Sequence, residues 1–67
     1  MIKFKDYIIT FMTKQKKTDK CYTYQIEAIS KAQAIGIAFQ LFFAEHYEEK
    51  IDDYSVEELI NGKYEYV

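Results

Sequence analysis

The chain has no proline, no tryptophan and no arginine, and only two glycines, one cysteine and one histidine. Each shortage closes a class of function. A lone thiol, Cys21, cannot form an internal disulfide, and a lone imidazole, His46, cannot build the usual His and Cys zinc sets. Gly36 and Gly62 stand apart, so there is no glycine-rich phosphate loop and no dinucleotide-binding turn. Arginine grips phosphate and guanine edges through two parallel hydrogen bonds. The nine lysines supply positive charge without that geometry. No apolar run nears the roughly 20 residues of a membrane span. The first ten residues carry two lysines, but their apolar stretch is short and leads to no small-residue cleavage site, so no secretory leader is expected. A single cysteine fits a reducing cytoplasm. Neither a cofactor nor a membrane is expected.

What remains is a composition 49% hydrophobic and 30% charged, which is that of a globular chain. Sixty-seven residues support one domain, residues 1–67, with one small core that buries only about 60% of the unfolded surface. The net charge of −2 hides a polarised chain. Residues 1–43 hold seven Lys against Asp6, Asp19 and Glu27, and residues 44–67 hold eight acids against Lys50 and Lys63.

Residues 4–13 alternate as a strand does, with Tyr7, Ile9 and Phe11 on one face. A polar turn follows from Lys14 to Asp19. In residues 20–28, Tyr22, Tyr24, Ile26 and Ala28 again share a face. Pairing Ile9 with Tyr24 and Phe11 with Tyr22 merges the two aromatic faces, and a slip of one residue would put the tyrosines opposite the polar set. Ser30 is the expected N-cap of a helix from about Lys31 to about Glu48. No acid stands three residues later, so no capping box is expected. Gly36 costs up to about 1 kcal/mol inside a helix, which suggests close approach to the sheet or to another helix. The closing stretch from Tyr54 reads as strands Tyr54 to Ile60 and Lys63 to Val67 around an Asn61-Gly62 hairpin turn. A helical turn opened by Ser55 and Glu58 is the alternative. The order is then β-β-α-β with a fourth strand, strand three returning beside strand one. This is an α+β two-layer domain with a small antiparallel sheet and one helix on one face.

The helix holds more apolar surface than one sheet face needs. At 100° per residue, Ile35, Ala38, Phe39 and Phe42 form one stripe. Ala34, Ile37, Leu41 and Ala44 form a second, expected to be a homodimer interface.

Few constellations carry chemistry. A hydrolytic site would need His46 beside Cys21, Ser30 or Ser55, and nothing in the spacing brings them together. Glu45, His46, Glu49, Asp52 and Asp53 lack the convergence of a metal site, and a solvated acidic end explains them as well. No catalytic residue and no metal ligand is therefore assigned. The acidic third of the chain interleaves tyrosines with carboxylates. Glu48, Glu49, Asp52, Asp53, Tyr54, Glu57, Glu58, Tyr64 and Tyr66 are the candidate surface for a protein partner, steered by charge and anchored by aromatic rings. The alternative is nucleic-acid binding by Lys14, Lys16, Lys17 and Lys20, with Phe11, Tyr22 and Tyr24 as base-stacking rings. The same rings also read as core, and the lysines as a solvated hairpin tip that guards a sheet edge.

The segments YIITF (7–11), YTYQIEA (22–28) and DYSVEEL (53–59), with Ala28-Ile29-Ser30-Lys31-Ala32-Gln33-Ala34 at the start of the helix, resemble a pattern common among small phage and mobile-element proteins. The resemblance covers about 50 residues of the 67 on the strand and helix periods alone, and it includes no catalytic residue. It implies an accessory role: binding, and modulating or inhibiting, a host or defence protein such as a CRISPR effector nuclease.

Overall fold

Residues 2–15 and 18–67 are described by a computed structural model. Strands β1 (Lys5–Gln15) and β2 (Thr18–Ala28) form an antiparallel hairpin in which Ile9 faces Tyr24 and Phe11 faces Tyr22, the register that the aromatic faces demand. The pairing runs further than the polar sequence suggests. Lys14 stands opposite Asp19 and Gln15 opposite Thr18, so most of the expected turn is ladder. Lys16 and Lys17 lie outside the described residues.

Helix α1 (Lys31–Glu45) starts at Ser30, whose hydroxyl accepts the Gln33 N–H at 3.2 Å. Gln33 returns the favour, its Oε1 accepting the Ile29 N–H at 2.9 Å. This corrects the expectation that no capping box forms: the motif takes Gln as well as Glu at this position, and Gln33 supplies the returning bond, here to the N–H one residue before the cap. The helix stops three residues short of Glu48, with His46 donating its N–H to the Phe42 carbonyl at 2.7 Å. Carboxylates at a helix C-terminus oppose the dipole, and no basic residue offsets them in the last turn. Glu45 and Glu49 bond to the sheet instead.

Strands β3 (Ile51–Ile60) and β4 (Lys63–Tyr66) complete a four-stranded antiparallel sheet in the order β2-β1-β3-β4. The strand reading of residues 55–60 holds. Asn61 and Gly62 turn the chain with φ of 50° and 81°, the left-handed pair that a tight hairpin requires. Strand β3 begins at Ile51 rather than Tyr54. Met12 pairs with Asp53 and Thr13 with Ile51, so Asp52 is the extra residue of a bulge.

Helix and sheet enclose one core: Tyr7, Ile9 and Phe11 from β1, Ile26 and Ala28 from β2, Ala34, Ala38 and Phe42 from α1, and Val56 from β3. Phe11 is its hub. Its ring lies 4.9 Å from Phe39, 5.0 Å from Phe42, 5.9 Å from Tyr24 and 6.2 Å from Tyr54. Such tilted and edge contacts add about 0.5–1.5 kcal/mol a pair beyond area burial.

Candidate protein-binding surfaces

The period of a strand sorts the candidate acids and tyrosines onto two faces. Tyr54, Val56 and Glu58 stand opposite Phe11, Ile9 and Tyr7, so they point to the helix side. Glu58 sits 3.9 Å from Lys5 and accepts from Tyr7. Tyr54 packs edge-on to Phe39 at 5.6 Å. Asp53, Ser55, Glu57 and Leu59 point the other way. Tyr64 and Tyr66, paired with Leu59 and Glu57, share that second face. Nine residues read from the sequence as one patch therefore divide: Asp53, Glu57, Tyr64 and Tyr66 on the open face, Tyr54 and Glu58 beneath the helix layer, Glu48 and Glu49 just beyond the helix end, and Asp52 in the β3 bulge, in a hollow shared with Met12, Lys14, Cys21 and Asp53.

Among the described residues, no element covers the open face. Its middle is uncharged, with Ile8, Thr10 and Met12 half-buried and the Thr10 hydroxyl 3.4 Å from that of Thr23. Gln25 donates to the Tyr64 hydroxyl at 3.4 Å, from β2 to β4, so these two side chains reach toward each other over the intervening strands. Tyr66 is 76% exposed. By the same alternation Asp6 and Glu27 also belong here, facing each other across β1 and β2. Among the strand residues whose side chains are described, alternation gives the open face the carboxylates Asp6, Glu27, Asp53 and Glu57 and the ammonium of Lys14. Asp6 and Glu27 were not among the sequence candidates. Strand parity would have revealed them, but they lie in the lysine-rich part of the chain.

At the far end of the helix the acids are engaged within the chain. Tyr22 donates to Glu49 at 2.9 Å and Tyr24 to Glu45 at 3.1 Å. His46 lies 3.2 Å from Glu49 through Nδ1 and 3.8 Å from Glu45 through Nε2, its ring 4.1 Å from that of Tyr22. The Tyr22 hydroxyl is pushed above its ordinary pKa, first by its bond to Glu49 and then by burial. For Tyr24 burial leads and the Glu45 bond follows. For Tyr7 burial leads and Glu58 follows. These bonds tie the helix end to β2 and border a cleft of about 360 Å³ that also touches Lys20, Tyr47 and Glu48. No nucleophile joins His46 there: Cys21 and Ser55 point to the open face and Ser30 stands at the opposite helix end. Among the described residues, no three His, Cys, Asp or Glu side chains are grouped to hold a metal ion.

Lys14 and Lys20 flank the hairpin end on opposite faces, since Lys20 pairs with Thr13 and Lys14 with Asp19. Phe11 is completely buried and Tyr22 and Tyr24 are half-buried with hydroxyls bonded. The rings that a base-stacking platform needs are in use inside the fold. The charge polarity of the sequence also folds away, Lys20 coming to the cleft beside Glu45, Glu48 and Glu49.

The helix stripes differ from the projection in one residue. Ala34 is in the core and cannot face a partner. The helix turns Ala34, Ala38 and Phe42 directly at the sheet, about 50° from the expected centre line. Ile37 packs at the core margin, while Leu41 stays 40% exposed and Ala44 is exposed. On the other flank Phe43, which the sequence reading passed over, is 49% exposed and stacks on Phe39 at 5.8 Å. Gly36 faces open space, with nothing within 4 Å of an added Cβ, so the sheet is not what it approaches.

No helix among the described residues is long and apolar enough to cross a membrane. Comparison of the chain with protein-family models, with curated proteins and with solved structures gives no match.

Proposed function

We propose that this chain is a non-enzymatic binding protein of the cytoplasm, an accessory protein of the phage and mobile-element kind that docks a host or defence protein and modulates or inhibits it. The observation that supports this reading is the open sheet face, where Asp6, Glu27, Asp53 and Glu57 surround Ile8, Met12, Leu59 and the rings of Tyr64 and Tyr66. Carboxylates at that density steer a basic surface toward the face, and the rings of Tyr64, half-buried, and Tyr66, exposed, supply contact area at low entropic cost once it arrives. A basic groove that normally holds a nucleic-acid backbone, as in a nuclease effector, has the complementary charge. The chain acts as a homodimer in this reading, joined through the helix flank of Ile37, Leu41 and Ala44.

Affinity capture from the native host, followed by mass spectrometry, tests the docking. The partner is expected to be basic, to be released by raised salt, and to be lost with the double variant Glu57→Lys, Tyr66→Ala while Lys63→Ala retains it. A partner retained by the double variant would remove the open face from the account. Retarded migration of DNA or RNA at low salt, abolished by Lys14→Glu and Lys20→Glu, would replace the proposal with nucleic-acid binding.

A further inference from the structure

Strand β2 is an outer strand of the sheet. In an antiparallel ladder every second residue of such a strand turns its N–H and C=O away from its one neighbour, which leaves a template for another strand. Charged side chains usually guard such an edge. Here Lys20 and Glu27 bound six consecutive uncharged residues, Cys21 to Ile26, rich in the aromatic and branched side chains that strands favour.

The helix overhangs that edge. Phe42 contacts Tyr22 of β2 at 5.6 Å and Phe11 of β1 at 5.0 Å, so the centre line of α1 runs between those two strands. Phe39 reaches Tyr54 of β3, which sets its flank toward the middle of the sheet. The opposite flank, with Ile37, Leu41 and Ala44, is therefore turned outward above the free edge of β2. An unpaired backbone edge and an unpaired apolar flank lie on the same side of the molecule, one directly above the other.

We infer that a second copy of the chain fills both at once, the two β2 strands pairing antiparallel about a two-fold axis perpendicular to the sheet. This rests on the homodimer of the proposed function and specifies how it is built. The geometry is consistent. Paired strands lie about 4.8 Å apart, and each helix axis sits about half a strand spacing inward from β2. The two helices would then run about 9–10 Å apart, within the spacing at which helices pack. The two helices would run antiparallel, Leu41 meeting its own equivalent near the axis and Ile37 of each copy meeting Ala44 of the other, and both helices would lie on one face of a continuous eight-stranded sheet. The two open faces, with their carboxylates and tyrosines, would form one surface on the other side.

Hydrogen–deuterium exchange of the full chain across a dilution series, read beside sedimentation velocity, tests this. Protection of alternate amides in residues 21–26 should rise with concentration in step with the dimer, and both should be lost in Leu41→Glu, whose far-ultraviolet circular dichroism should match the parent. A dimer in which the outward amides of β2 exchange freely at every concentration would overturn the edge pairing and leave a helix-only dimer. A monomer at all concentrations would end the homodimer itself. Should Leu41→Glu misfold, Ala44→Lys, at a smaller exposed side chain, gives the same test.

Discussion

Replacing Phe11 should cost more than any other single change on the sheet. The ring is fully buried and touches four others, Phe39, Phe42, Tyr24 and Tyr54. A domain of 67 residues has about 3–10 kcal/mol of stability in all. Phe11→Ala opens a cavity at about 3–5 kcal/mol, enough to leave the chain largely unfolded and hard to measure. Phe11→Leu is the better probe. Leucine keeps most of the apolar volume, a swap that alone costs under about 1.5 kcal/mol. Loss of the ring pairs, which share one ring and do not add, brings the total to about 2–3 kcal/mol. Phe43→Ala is the control. Its ring is half-exposed and stacked on Phe39, so the cost should stay below about 1 kcal/mol. Urea titrations followed by circular dichroism at one fixed protein concentration give both values, since self-association makes stability depend on concentration. Phe11→Leu costing no more than Phe43→Ala would refute the placement of the core hub.

Three further outcomes follow from particular side chains. Tyr7, Tyr22 and Tyr24 all hold their protons above the ordinary value of about 10. Their contribution is therefore complete below about pH 10 and disappears as pH rises through the folded values. Urea titrations from about pH 9 to about pH 12 should show that fall, and the triple Tyr→Phe variant should lose part of it; an equal slope in both proteins would contradict the assignment. Gly36→Ala should stabilise the helix by up to about 1 kcal/mol without weakening self-association, because its Cβ meets nothing and the position lies off the proposed flank; a weakened dimer in sedimentation would bring that face into the interface. The Thr13 hydroxyl is buried with no hydrogen-bond partner, so Thr13→Val should be neutral or stabilising, and a loss above about 1 kcal/mol would reveal a partner.

The sheet was legible because its signals were redundant. The aromatic faces of residues 7–11 and 22–26 agree only in the observed register, and Asn61-Gly62 closes a hairpin in the left-handed conformations that dipeptide favours. Boundaries were less so. The polar run from Lys14 to Asp19 reads as a turn, but polar residues pair in a ladder as readily as they turn, and Lys14 and Gln15 pair with Asp19 and Thr18. The helix ends at Glu45, where Tyr24 bonds Glu45 and Tyr22 bonds Glu49 just beyond it, tertiary bonds that no local pattern encodes. The candidate surface was the least legible. Charge counted along the chain joined Tyr54 and Glu58 to Glu57 and Tyr66, although alternation sends them to opposite faces, and it passed over Asp6 and Glu27 on another strand.

The account depends most on a helix flank and a strand edge left uncovered on the same side of one small domain. Sedimentation equilibrium of the chain at micromolar concentration, with Leu41→Glu run in parallel, measures this directly. The parent should have twice the 8.0 kDa chain mass and the variant the mass of a single chain. A parent that stays at one chain mass up to millimolar concentration would contradict it.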